Sequence, residues 1–328
     1  MPWRIVGHDW AVTLLRQSLV AGRLAHAYLL TGLPRVGKTT LALALAQALN
    51  CGQPDPPCGQ CLACRKIAKG IHPDVRLIIG EGAGASIKIE QIRALQREAA
   101  LAPYEGCQRV VILRNMDRAS VEASNSLLKT LEEPPGHLML VLTAVDAKVL
   151  PATVVSRCQR LDLRPATGQV IEAALCERGL AQPRAQLLAS LSQGQVGWAL
   201  SAAQDEGVLQ QRQRDLEQLV DLLVTDRVGR LEYAAKASQD SQTVQRRLEV
   251  WSSWWRDLML LCGGSRGGLV NVDRLDELGS FAEQLTISRA LAGLQALQET
   301  AAQLEAHVNT RLALESLLLR FPRCRRPS

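Results

Sequence analysis

The sequence predicts an α/β fold joined to an all-α one. A parallel sheet wrapped by helices extends to about residue 165, and helices alone follow. Three observations carry this. Short apolar runs alternate with helix-forming stretches up to Arg164-Pro165. A G-x-x-x-x-G-K-T loop lies between the first apolar run and an Ala/Leu-rich helix. Beyond Pro165 the strand signals stop and the periodicity is helical.

Taken in order, residues 8–22 place Trp10, Leu14, Leu15 and Leu19 at helical spacing. Ala27-Tyr28-Leu29-Leu30 is the first strand, and Thr39 to Asn50 is a strong helix former. A Cys/Pro/Gly segment, 51–64, interrupts the alternation. Val75 to Ile79 reads as the second strand, and Ile87 to Ala100 as an amphipathic helix carrying Ile89, Ile92 and Leu95. Val110-Val111-Ile112-Leu113 is continuously apolar, as a strand covered on both faces must be. Residues 120–133 form a helix stopped by Pro134-Pro135-Gly136. Leu138 to Thr143 is the fourth strand, a short helix follows Pro151, and Gln159 to Leu163 is the fifth strand. Residues 166–205 read as two or three short helices with a turn at Gly194. From Gly207 to about Arg320 the pattern is helical, broken by the glycine-rich loop 263–268. The basic tail Arg323-Cys324-Arg325-Arg326 is expected to fray. The resulting division is 1–165, 166–206 and 207–328.

A chain of 328 residues has room for about two or three domains. Aromatics make up 3%, so the core is built mainly from Leu, Ala and Val. The formal net charge of +6 is a mild basic bias, compatible with nearby nucleic acid but not diagnostic of it. Met1-Pro2-Trp3-Arg4-Ile5 opens no signal-peptide core, and no uncharged apolar run reaches the roughly 18 residues of a membrane helix. A cytoplasmic location is expected, in which nine cysteines are not a disulfide framework.

The loop itself runs Gly32-Leu33-Pro34-Arg35-Val36-Gly37-Lys38-Thr39-Thr40. Its glycines let the backbone wrap a phosphate with N–H groups turned inward. Lys38 supplies charge for the β/γ-phosphates, and the Thr39 hydroxyl can serve Mg²⁺. The chemistry of ATP hydrolysis also needs an acid at the end of a neighbouring strand, often followed by a glutamate that activates water. Arg114-Asn115 stands there instead, and Asp117 is expected to lie too far along the turn to replace the acid. Turnover by this chain is therefore expected to be negligible. Thr143 ends the next strand at the same sheet edge. It fits a contact to a γ-phosphate and, equally, a backbone hydrogen bond.

Cys51, Cys58, Cys61 and Cys64 follow a C-x6-C-x2-C-x2-C spacing that fits a tetrahedral structural Zn²⁺ site. Four thiolates leave no coordination place for water, which argues against a catalytic metal. Four free or redox-active cysteines are the alternative. Trp251, Trp254 and Trp255 share one helical face, and fit either a domain core or a surface for partners.

Beyond these local readings, the chain resembles the bacterial clamp-loader AAA+ subunits. The resemblance rests on Ile5-Val6-Gly7-His8, on Leu24-Ala25-His26-Ala27-Tyr28-Leu29-Leu30-Thr31-Gly32, and on the four-cysteine insertion with His72-Pro73-Asp74. It rests most specifically on Asn125-Ser126-Leu127-Leu128-Lys129-Thr130-Leu131-Glu132-Glu133-Pro134-Pro135 and Ser156-Arg157-Cys158-Gln159. It is strong over 1–165 and moderate over 166–205, through Gly194 to Leu200. In the last third it is carried by Asn309 to Glu315. It implies a RecA-like AAA+ domain, a helical lid and a helical collar. It also implies a pentameric ring with motor (gamma/tau) and delta subunits that loads a sliding clamp on primer-template DNA.

Motor subunits of the family carry Asp-Glu where this chain has Arg114-Asn115, and a lid arginine in the place of Gly197. The resemblance thus implies a non-motor subunit, with ATP or ADP bound without turnover. Arg157 is then the group presented in trans to a neighbour's nucleotide. The other reading of Arg157 is a surface arginine paired with a local acid such as Asp162. The interval from Cys51 to Cys58 is slightly shorter than the family's usual one. Two other functions compete: a gamma/tau-type motor, and a zinc-containing nucleic-acid binder. The shortage of aromatics and of an Arg/Lys-rich recognition helix speaks against the second.

Overall fold

The computed structural model describes residues 3, 5–81, 86–306 and 308–326. The chain forms two compact units, Met1–Ala174 with Gly194–Trp198, and Leu175–Gln193 with Ala199–Ser328.

The first unit is the α/β one. Its elements are α1 (Asp9–Val20), β1 (Ala27–Thr31), α2 (Lys38–Asn50), α3 (Leu62–Ala68), β2 (Val75–Ile78), α4 (Ile89–Ala99) and β3 (Arg109–Leu113), then α5 (Val121–Glu132), β4 (Leu138–Ala144), α6 (Ala152–Val155) and β5 (Gln159–Asp162). The five strands pair in the order β2-β3-β4-β1-β5, every pair parallel. Central β1 and β4 are buried along their whole length, as their unbroken apolar runs require. Alternate residues feed two cores. Leu29, Val111, Leu113, Leu140 and Leu142 pack with Ile92 and Leu95 of α4 and Leu127 and Leu131 of α5. Tyr28, Leu30, Val110, Ile112 and Val141 pack with Leu15 of α1 and Leu41 and Leu45 of α2. The expected strands and helices of this region are present within a residue or two. The exception is α3, which forms inside the cysteine segment and runs past it. Its N-cap is Cys61, whose Sγ accepts the N–H of Cys64, a cap that composition alone does not announce.

One buried acid braces the N-terminal side of the sheet. The Asp74 carboxylate accepts the backbone N–H groups of Tyr104, Glu105 and Gly106 at 2.7, 2.9 and 2.8 Å and faces Arg109 at 3.4 Å. Burial pushes its pKa up, but the three N–H groups and Arg109 outweigh that and hold it below the ordinary value. Asp74→Ala leaves three inward N–H groups without their acceptor, and is expected to cost about 3 kcal/mol in urea unfolding of the full chain. A folded-state pKa below the unfolded one gives stability that is complete above about pH 4 and lost as pH falls through the folded value. Wild type and variant should therefore converge in acid. An unchanged gap at low pH would assign the effect to packing.

Three short helices, α7 (Gly168–Cys176), α8 (Gln182–Leu191) and α9 (Val196–Gln204), follow β5, with Gly194 in the left-handed region between the last two. The second unit continues with α10 (Glu206–Val224), α11 (Arg227–Ala237), α12 (Ser241–Cys262), α13 (Leu275–Ala282), α14 (Ile287–Glu305) and α15 (Thr310–Arg320). Its core answers the question of the tryptophans. Trp251, Trp254 and Trp255 are buried inside it, with Phe281 edge-on to Trp254 and Phe321 against Trp255. A methyl group added at Gly293 of α14 would stand 2.6 Å from the Trp255 ring, so glycine is what lets α12 and α14 close.

The tail does not fray as expected over residues 323–326. Cys324 donates its N–H to Leu223, Arg325 exchanges hydrogen bonds with Gln284, and Arg326 faces Asp221. Upstream, the buried Arg230 guanidinium donates to the carbonyls of Leu318, Phe321 and Pro322, binding the tail's entry to α11. No helix among the described residues is long and apolar enough to cross a membrane.

Candidate functional site

The phosphate loop leaves β1 at the carboxyl edge of the sheet and opens α2. Two glycines are needed for geometry. Gly32 has φ +140°, and a side chain there would run into the Leu163 carbonyl; Gly37 has φ +115° and is the N-cap of α2. Arg35 adopts φ +58°, a left-handed turn held by a hydrogen bond from the Gly197 N–H to its carbonyl at 2.8 Å. A Cβ on Gly197 would sit 3.0 Å from that same carbonyl oxygen. The Gly197 backbone thus lies directly on the loop. His8 supports the loop from the other side, its Nε2 2.8 Å from the Val36 carbonyl. A lone histidine 28 residues from Val36 carries no local signal of this contact in the sequence.

Lys38 is buried, with its ammonium donating to the carbonyls of Gly32 and Leu33, the latter at 2.9 Å. Burial pushes its pKa down, the Asp117 carboxylate opposes this, and Arg114 adds to it. Asp117 is therefore nearer the loop than expected. One of its oxygens accepts the N–H of Val145 at 3.1 Å, and the Val145 carbonyl accepts the N–H of Gly32 at 3.0 Å. Arg114 is exposed at the end of β3. Asn115 sits at φ +59°, a left-handed conformation that asparagine tolerates better than most residues, and gives its N–H to the Thr143 hydroxyl oxygen at 3.0 Å. The hydrogen-bonded reading of Thr143 is therefore realised, and the residue is fully buried. Thr39 is half-buried and Thr40 exposed in the first turn of α2.

Arg157 lies just past α6, partly exposed. Its Nη2 is 2.6 Å from Glu132 Oε1, and its Nη1 donates to the Thr153 carbonyl at 2.9 Å and to Ser156 Oγ at 3.3 Å. The local acid is thus Glu132 and not Asp162, which is taken by Arg160 and by the Thr31 hydroxyl. Thr31, directly opposite Asp162 on β1, and Arg160, two residues before it on β5, hold that carboxylate. Neighbouring Cys158 is a half-buried thiol, pushed up to about 12 by desolvation.

The four cysteines converge. The sulfur atoms of Cys51, Cys58, Cys61 and Cys64 all lie within 4.8 Å of one another, and those of Cys51 and Cys61 are 3.9 Å apart. Tetrahedral Zn–S bonds of about 2.3 Å call for sulfurs about 3.8 Å apart, so the donor set and spacing fit zinc. Backbone N–H groups of Cys58, Cys61 and Cys64 point at the sulfurs of Cys51, Cys58 and Cys61 at 3.4, 3.2 and 3.4 Å, the arrangement that favours thiolates. The N–H groups of Cys61 and Gln60 draw the Cys58 thiol down to about 6, whereas burial pushes Cys64 up to about 12. Cys51 joins the cluster despite the short interval before Cys58.

A parallel sheet in this order, with a P-loop after the interior strand β1 and helical segments after the sheet, defines a P-loop protein of the AAA+ class. A solved DNA polymerase III gamma subunit-related protein of Thermotoga maritima shares the fold at a TM-score of 0.50 and 17% identity, over 95% of this chain and 98% of its own. Two family models, described as the DNA polymerase III delta subunit and its C-terminal region, match residues 7–167 and 206–323. The DNA polymerase III subunit delta' of Bacillus subtilis is 30% identical over 312 residues, 93% of each chain. The tau subunit of Escherichia coli is 38% identical over 205 residues, 60% of this chain but only 31% of tau. The chain belongs to the delta-prime family of DNA polymerase III clamp-loader subunits.

Proposed function

We propose that this chain is the stator of a replicative clamp loader, a subunit that shapes its neighbours' ATPase cycle without running one of its own. One observation carries the reading. The strand β3 beside a well-formed P-loop ends in Arg114 and Asn115, where hydrolysis needs an acid and a water-activating glutamate, and the nearby Asp117 is engaged as acceptor of the Val145 N–H. A guanidinium cannot ligate Mg²⁺, and an asparagine cannot accept a proton from water. Gly32 to Thr40 then hold ATP or ADP without turnover, with Thr143 supporting the edge of the site. Cys51, Cys58, Cys61 and Cys64 hold a structural Zn²⁺. Arg157 is presented in trans to the nucleotide of a gamma/tau neighbour.

On this reading residues 1–165 are the nucleotide-binding domain, 166–206 the lid, and 207–328 the collar that joins the cytoplasmic ring. Partners are motor and delta subunits, with the sliding clamp and primer-template DNA reached through the complex. Reconstitution tests it: partner subunits should show clamp- and DNA-stimulated ATPase only when this chain is present. Stimulation without it would defeat the stator reading.

The intact P-loop and the likeness to tau favour one rival, a self-sufficient motor. The two separate on the isolated chain. Binding of a fluorescent ADP analogue should be measurable and should fall at least about tenfold in Lys38→Ala, because the phosphates lose their nearest charge. Mg²⁺-dependent turnover should stay at background. Turnover abolished by Lys38→Ala would establish the motor instead.

A further inference from the structure

We propose that Glu132 is a positioning residue for Arg157, holding its guanidinium at the domain edge in the pose a neighbour's nucleotide requires; this rests on the trans-arginine reading above. Glu132 is the last residue of α5, and Glu133 follows as its C-cap. Two acids at the negative end of a helix are electrostatically misplaced unless a cation answers them. Arg157, just past α6, answers Glu132 at 2.6 Å. The local rule is broken where the pair forms, which is where functional demands show in a sequence.

The contacts also explain how the arginine can be held and still act. Nη1 is occupied by the Thr153 carbonyl and Ser156 Oγ, and Nη2 faces Glu132. Among the described residues Nε has no partner, so its N–H is left for a phosphate oxygen while the two Nη groups are held. An arginine side chain left free would sample many rotamers, and ordering it on binding would cost part of its effect. Glu132, Thr153 and Ser156 meet that cost in the folded subunit. The pair is half-exposed on both sides, so it adds little to folding stability and its purpose lies elsewhere.

The test is a double-mutant cycle in clamp-loader complexes reconstituted from full-length chains, read as ATPase stimulated by clamp and primed DNA. Glu132→Ala should lower kcat about three- to tenfold with KM for ATP unchanged, the size expected for coupling between touching residues. The isosteric Glu132→Gln should lose less, because its amide oxygen can still face the guanidinium. Combining Glu132→Ala with Arg157→Ala should be no worse than Arg157→Ala alone, and thermal unfolding of the chain should not shift. If Arg157→Ala is itself without effect, the trans-arginine reading falls and this one with it. If Arg157→Ala is severe but Glu132→Ala turns over at the wild-type rate or faster, Glu132 is not a positioning residue and the arginine reading stands. A loss that multiplies in the double variant places Glu132's action elsewhere and overturns the proposal in the same way.

Discussion

Arg157→Ala is expected to silence hydrolysis at the neighbour's site that faces this chain, by roughly 10³-fold or more at that site. The size follows from what an arginine does in phosphoryl transfer. Charge builds on the transferring oxygens, and a permanently charged planar fork meets two of them at once. The total ATPase of the ring should fall less, since the variant changes one interface alone. Clamp loading should fall with the affected site if firing is concerted. Folding should be untouched, because the side chain is partly exposed and an ion pair of this kind is worth at most about 1 kcal/mol. Arg157→Lys should recover little, since an ammonium places one charge where two aligned donors are needed. The decisive measurement is single-turnover hydrolysis in complexes where only that site can bind ATP. Normal rates there with Arg157→Ala would leave this chain a purely structural member of the ring.

Metal removal should give the other large effect. Protein purified without chelator is expected to carry one Zn²⁺ per chain, measured by elemental analysis, and each of Cys51→Ser, Cys58→Ser, Cys61→Ser and Cys64→Ser should lose it. Structural zinc in small modules contributes apparent binding energies of about 10–16 kcal/mol at neutral pH. Loss should therefore melt the segment from Cys51 to Cys64 and loosen α3, whose N-cap is one of the ligands. It should not melt the sheet. The cores on its two faces are made by α1, α2, α4 and α5, with Ile67 of α3 as a peripheral contributor. Because every ligand must give up its proton, affinity should rise with pH and acid should release the metal. Metal-free protein with full hydrogen-exchange protection across 51–68 would show that the four sulfurs do not need an ion.

Much of this protein is legible in one dimension. The P-loop is a local object, since its glycine positions, lysine and flanking strand and helix all lie within 24 residues, Ala27 to Asn50, so a candidate phosphate site is visible in the residue order alone. The alternation of apolar runs with amphipathic stretches likewise determined a parallel sheet, because a strand buried on both faces must be apolar throughout. The cysteine spacing determined a candidate tetrahedral site for the same reason of proximity, with all four ligands drawn from one short segment. Tertiary structure decided what depends on residues far apart in the chain. The partner of Arg157 is 25 residues upstream on another helix, while Asp162, five residues away, is claimed by its own strand neighbours. Asp117 reaches the electrostatic environment of Lys38 only because β3 and β4 bring their ends together at the loop. The tryptophans of α12 could equally have formed a surface until α13, α14 and the chain end closed over them. Periodicity tells which residues share a face, but which face meets which is settled by long-range packing and by pairs of charges that find each other only once the backbone is folded.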